Sequence, residues 1–179
     1  MALSISVNIS PLQLQRHDFV LRLEKMIEEF PLLIPNSLEF EILESSALKD
    51  IDLVSGVIKK CNRLGITFAI DDFGTGYSSL TYLKRLPTEY LKIDQSFVID
   101  MLADADNKTI IQGIIELSKA FNLKVIAEGV ETPAHGEELL SLGCFRAQGY
   151  GISKPMPASN FPTWIKRWQD NPKLIDGTI

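Results

Sequence analysis

The sequence predicts an α/β fold built on a parallel sheet. Three observations carry this: six short apolar runs rich in β-branched residues, a stretch of helical periodicity after each, and a polar residue at or just past the carboxyl end of every run. The runs are LSISVNI (3 to 9), LEFEIL (38 to 43), ITFAI (66 to 70), YLKID (90 to 94), LKVIA (123 to 127) and AQGYGI (147 to 152). PLQLQRHDFVLRLEKMIEEF follows the first run, and DIDLVSGVIKKCNRL, opened by Asp50 and closed by Gly65, follows the second. SSLTYLKRL and NKTIIQGIIELSKAF follow the third and fourth. PAHGEELLSL, starting at Pro133, and PASNFPTWIKRW, starting at Pro157, complete the series. Repeating units of about 30 residues with strand before helix imply parallel pairing and right-handed crossovers.

The strand-end residues favour a barrel over an open doubly wound sheet. Asn8, Glu41, Asp71, Lys92, Glu128 and Gln148 each end a different strand, and such convergence on one rim is the chemistry of a TIM-type (β/α) barrel. An open sheet gathers its site at one switch point, usually with a glycine-rich phosphate loop, and this sequence has none there. Six βα units fall two short of the eight in a closed barrel, so the expectation is a TIM-type barrel truncated to six units. No linker interrupts the rhythm, and residues 1–179 read as one domain with a tail from about 171 to 179.

Composition narrows the function. The chain has 179 residues, 45% hydrophobic and 23% charged, with a formal net charge of −5. That charge offers no footprint for a nucleic acid polymer, and no run of like charge suggests contact with a membrane surface. No apolar stretch approaches a membrane span, and the opening lacks the charged start of a signal peptide. Cys61 and Cys144 match no metal-knuckle spacing and read as two buried thiols in a reducing, cytoplasmic setting. A longer parent chain remains free to be membrane-anchored.

The carboxylates carry the chemistry. Glu41, Asp71, Asp72, Glu128 and Glu131 share a rim only if cations neutralise them or some keep their protons. Carboxylates with one Asn amide form an all-oxygen donor set, which suits Mg2+ or Mn2+, whereas Zn2+ recruits His or Cys. His17 and His135 sit at no strand end and read as exposed helix residues. Two adjacent aspartates fit two-metal phosphoryl chemistry, in which one carboxylate is shared between ions. Successive strand residues point to opposite faces, so Asp71 and Asp72 serve one site only where the strand ends and the chain turns, as FGTGYSS allows.

The segments VNISPLQL, FEILES, IDDFGTGYSSL, LKIDQSFV, VIAEGVET and QGYGISKPMP resemble, in order, the signatures of the EAL domain, a bacterial phosphodiesterase that hydrolyses cyclic di-GMP. The resemblance runs from about Ile5 to about Trp168. It implies a TIM-like barrel that uses two Mg2+ or Mn2+ ions to open one phosphodiester of cyclic di-GMP, releasing pGpG. Carried over by position, Asn8 and Glu41 resemble metal ligands, Asp71 the carboxylate that bridges the ions, and Asp72 a ligand of the second. Lys92 resembles the lysine that contacts the nucleophilic water or a phosphate oxygen, and Glu128 a metal ligand or general base. Glu131 and Gln148 resemble supporting residues. Glu44 resembles the anchor of the loop Phe73, Gly74, Thr75, Gly76, Tyr77, Ser78 and Ser79, which would couple site occupancy to homodimer contacts. The family also implies sensor or GGDEF-type domains elsewhere in a parent chain.

One departure stands out. The Glu-Ala-Leu motif that gives the family its name is absent, and its glutamate is a metal ligand there. The first run resembles the family's third strand. A missing carboxylate weakens metal binding, so the expected function is a cyclic di-GMP phosphodiesterase impaired in this form. The alternatives are a cyclic di-GMP-binding regulatory module without turnover, or a partial barrel that self-associates through exposed strand edges.

Overall fold

A computed structural model of the chain describes residues 3–44, 50–76 and 80–170, the side chains of 80–82 excepted. Five strands form a parallel sheet: β1 (Ile5–Asn8), β2 (Leu38–Leu43), β3 (Ile66–Phe73), β4 (Tyr90–Ile93) and β5 (Lys124–Ala127), hydrogen-bonded in that order. The helices are α1 (Pro11–Leu14), α2 (Phe19–Glu28), α3 (Ile51–Arg63), α4 (Leu80–Arg85), α5 (Gln95–Asp100), α6 (Ala105–Ala120), α7 (Pro133–Ser141) and α8 (Phe161–Asp170). None of the described helices is long and apolar enough to cross a membrane.

The chain divides into two compact units. One holds the residues up to Lys92 together with Glu116–Lys124, the other Ile93–Ile115 and the residues from Val125 on.

In the first unit the strand alternation sorts the side chains. Phe40 and Ile42 of β2 and Phe68 and Ile70 of β3 are buried, with Phe40 and Phe68 in edge-to-face contact at 5.6 Å between ring centroids. Val54, Val57, Ile58 and Cys61 of α3 are buried with them. Each such side chain contributes about 1.5–3 kcal/mol relative to exposure. The other face carries the polar residues, and the parallel register sets Ser6 beside Glu39 and Thr67, and Asn8 beside Glu41. β1 pairs with β2 alone among the described residues, and all four of its residues are exposed. α3 starts where the Asp50 carboxylate accepts the Leu53 N–H and ends at Gly65, whose φ of 78° suits a residue without Cβ.

In the second unit the predicted sixth strand is not a strand. Residues 147 to 152 form one parallel bridge, Ala127 with Ala147, and then turn, with the Ile152 and Ser153 N–H groups donating to the Gly149 carbonyl. Backbone crowding explains the early end: a Cβ on Gly149 would stand 2.2 Å from the Val130 carbonyl oxygen, and one on Gly151 would stand 2.6 Å from the Glu131 carbonyl carbon. The segment lies too close to residues 130 and 131 to run on as a regular strand. Five strands therefore replace the six expected.

Two helical stretches also differ from expectation. Residues 11 to 30 split into α1 and α2, because Ser10 caps the first short helix with Gln13 in a reciprocal capping box and the chain restarts after Asp18. α5 was not apparent in the sequence periodicity; Asp94 ends β4 and caps α5 by accepting the Ser96 N–H at 2.9 Å.

Candidate active site

In the first unit, Lys92 of β4 organises the polar face. It is 2% exposed, and its ammonium stands 2.9 Å from Glu41 Oε1 and 2.9 Å from Asp71 Oδ1. All three side chains are buried, so the charges interact through protein and are screened less than a surface pair. Asp71 Oδ1 has the lysine contact but no hydrogen bond of good geometry among the described residues. A buried carboxylate oxygen with unsatisfied lone pairs is suited to a cation.

Asp72 reaches the same side by a backbone device. Its φ is 54°, the left-handed region, which costs an L-residue free energy and reverses the strand alternation at that point. One carboxylate oxygen of Asp71 and one of Asp72 consequently lie within 4.8 Å of each other. Lys92 joins Glu41 to Asp71, and Asp71 stands beside Asp72, so three carboxylates gather in one group. Every donor in this group is oxygen, and the set fits a hard divalent ion.

The residues after Asp72 are held from β2. Glu44 is 2% exposed, and its Oε2 accepts the Gly74 N–H at 3.1 Å, with Gly74 at φ 101°. The Thr75 hydroxyl donates to the Asp72 carbonyl at 2.9 Å. A Cβ on Gly76 would meet the Glu44 carboxylate at 3.4 Å. Phe73 is 3% exposed and acts as a packing residue. Tyr77, Ser78 and Ser79 lie outside the described residues. Asn8 is exposed at the end of β1, in register with Glu41.

In the second unit, Glu128, Glu131 and Gln148 line a pocket of about 280 Å³ with Gln95, Gly129, Gly149 and Tyr150. The loop that carries both glutamates is fixed by its backbone. The Glu128 N–H donates to the Ile93 carbonyl at 3.2 Å, the Val130 N–H to the Gln148 carbonyl at 3.1 Å, and the Gly151 N–H to the Val130 carbonyl at 2.9 Å. Gly129 adopts φ 72°, and a Cβ there would stand 2.7 Å from Gln95 Cβ, so no larger residue fits the turn.

Several residues here escaped the sequence reading. Gln95 lies just past the end of β4, and the strand-end rule that picked out Lys92 would have found it. Tyr150 is two residues beyond Gln148. Glu39 is 5% exposed and accepts the Ser6 hydroxyl at 2.9 Å; its place inside an apolar run was the available signal. His135 is 5% exposed, not the exposed helix residue expected, because it closes the first turn of α7 against the loop before it. His17 is exposed as expected but lies in the turn between α1 and α2 and not in a helix, and Cys61 and Cys144 are buried free thiols, as expected.

The family model described as the EAL domain matches residues 1–155. The chain belongs to the EAL domain family. The bifunctional diguanylate cyclase/cyclic di-GMP phosphodiesterase MucR of Pseudomonas aeruginosa is 42% identical over 155 residues, which cover 87% of this chain and 22% of that protein. The cyclic di-GMP phosphodiesterase PdeR of Escherichia coli is 36% identical over 93% of this chain and 25% of its own length. This chain thus spans about a quarter or less of these EAL proteins. Among solved structures, the PaMucR phosphodiesterase in complex with c-di-GMP superposes with a TM-score of 0.83 at 41% identity, covering 88% of this chain and 64% of that one. The EAL domain of Mycobacterium smegmatis DcpA gives 0.86 at 40% identity, covering 92% and 73%. The fold is accordingly the TIM-like fold of EAL domains, represented here by five parallel strands.

Proposed function

We propose that this chain carries most of the active site of a cyclic di-GMP phosphodiesterase, with Asn8, Glu41, Asp71, Asp72 and Glu128 as ligands for two Mg2+ or Mn2+ ions. The observation that carries this reading is the buried Asp71 carboxylate, paired to Lys92 and turned to the same side as Asp72, with an oxygen left short of hydrogen bonds. The names of the EAL relatives, MucR and PdeR among them, supply the substrate.

When bound, the ions supply Lewis-acid stabilisation of phosphoryl oxygen and lower the pKa of an attacking water. The protein's own groups do the rest. Lys92, oriented by Glu41 and Asp71, presents its ammonium to a phosphate oxygen or to the attacking water. Glu128 takes the proton as general base. Glu131 and Gln148 orient groups beside it in their pocket. Glu44 fixes the turn after Asp72, through which site occupancy reaches the contacts of a homodimer. Sensor or GGDEF-type domains of a longer chain complete this reading, which places the protein in the cytoplasm.

The absent Glu-Ala-Leu motif removes one carboxylate, and the chain by itself is an impaired enzyme in this account. The same absence favours a second reading, a module that binds cyclic di-GMP without hydrolysing it. Calorimetric titration with Mn2+ tests the ligand set: Asp71→Asn is expected to weaken binding at least tenfold. Equal Mn2+ binding by wild type and Asp71→Asn would overturn the assignment.

A further inference from the structure

His135 has no role in the function proposed above, yet it is tied to the loop that bears Glu128 and Glu131. The imidazole is 5% exposed. Its Nδ1 accepts the Glu131 backbone N–H at 3.3 Å, while the His135 backbone N–H donates to Thr132 Oγ1 at 3.3 Å. The second bond is an ordinary N-cap interaction. The first goes further than a capping box, whose N3 side chain returns to the N-cap N–H; here it reaches one residue back and holds Glu131 itself.

The rest of the loop shows why this bond matters. Glu128 and Val130 are held by backbone partners, Ile93 and Gln148. The Glu131 N–H donates to a side chain instead, and so this is a point at which one substitution releases the loop without disturbing a backbone pairing. Glu131 and Glu128 line the same pocket, only a glycine and a valine apart in sequence.

We propose that His135 is a positioning residue: through Nδ1 it fixes the Glu131 backbone and thereby the direction of both glutamates in the pocket. The inference rests on the proposed metal-dependent site for its consequence, although its local part stands on the hydrogen bond alone.

Two readouts on the chain test it. Amide hydrogen exchange at Glu131 reports the bond, and Mn2+ titration reports the consequence, each for wild type, His135→Leu, His135→Gln and the cap variant Thr132→Ala. His135→Leu is expected to speed Glu131 exchange and weaken Mn2+ binding, each about tenfold, the lower end for outer-shell losses. His135→Gln keeps an acceptor and is expected to restore both to within about twofold of wild type. Thr132→Ala is expected to lower the melting temperature while leaving Mn2+ affinity in place. Unchanged Glu131 exchange in His135→Leu would overturn the proposal, as would His135→Gln losing affinity as much as His135→Leu. Wild-type protein that binds no Mn2+ would overturn the metal site itself; the exchange data would then decide the role of His135 without it.

Discussion

Lys92 and Asp71 meet at 2.9 Å, and the lysine is 2% exposed. Buried ammonium groups are rare, and this one persists because it has a second carboxylate, Glu41, at the same distance. Replacing it by methionine leaves two buried carboxylates facing each other. Lys92→Met is expected to cost about 3–5 kcal/mol in urea unfolding, the range for removing one partner of a buried ion pair. A loss below about 1 kcal/mol, the range of exposed pairs, would contradict the burial and pairing described.

Glu39 gives the protein a pH dependence whose sign follows from its burial. Burial pushes its carboxyl above the usual carboxylate range, with the Ser6 hydroxyl pulling the other way and Glu41 adding to the rise. The native state therefore binds this proton more tightly than the unfolded chain. Its contribution is fully present below the ordinary Glu value of about 4.3 and is lost as pH rises through the folded value. Glu39→Gln is expected to gain stability relative to wild type between about pH 4 and about pH 7.5 in urea titrations. A difference that shrinks over that interval would contradict the sign.

Gly149 and Gly113 make a matched pair. A Cβ on Gly149 would stand 2.2 Å from the Val130 oxygen and 2.4 Å from the Val130 nitrogen, whereas one on Gly113, within α6, meets nothing within 4 Å. Gly149→Ala is expected to destabilise by at least about 1–3 kcal/mol through overpacking, and Gly113→Ala to stabilise by about 0.4–1 kcal/mol through helix propensity. Thermal melts of both variants check the two signs together.

Cys61 is expected to be inert. Burial pushes its thiol up to about 11, so the reactive thiolate is scarce at neutral pH. Burial likewise raises Cys144. A colourimetric thiol reagent at about pH 8 is expected to modify neither in the native protein and both in urea. Rapid native labelling would show that the core around α3 opens.

Much of this was legible in the sequence, for physical reasons that differ by element. β2, β3 and β4 stood out because strands covered on both faces are nearly continuous apolar runs. Against such runs Glu41, Asp71 and Lys92 were conspicuous as charges that need a reason to be buried. α3 was legible from its ends, Asp50 and Gly65. The sixth strand was not, since AQGYGI has a strand's composition and its ending is set by the approach of another backbone to Gly149 and Gly151. The positive φ of Asp72 and the inward turn of His135 are tertiary outcomes, as is the sharing of one lysine by two carboxylates.

The most direct test of the account is chromatographic turnover of cyclic di-GMP to pGpG, with Mg2+ and then Mn2+, by this chain and by the chain joined to a Glu-Ala-Leu-bearing segment of an EAL relative. The joined protein is expected to release pGpG only with the cation, to outpace the chain alone, and to lose at least about a hundredfold in rate with Asp71→Asn, given the several kcal/mol a catalytic metal supplies. Turnover that needs no divalent ion, or that survives Asp71→Asn, would contradict it.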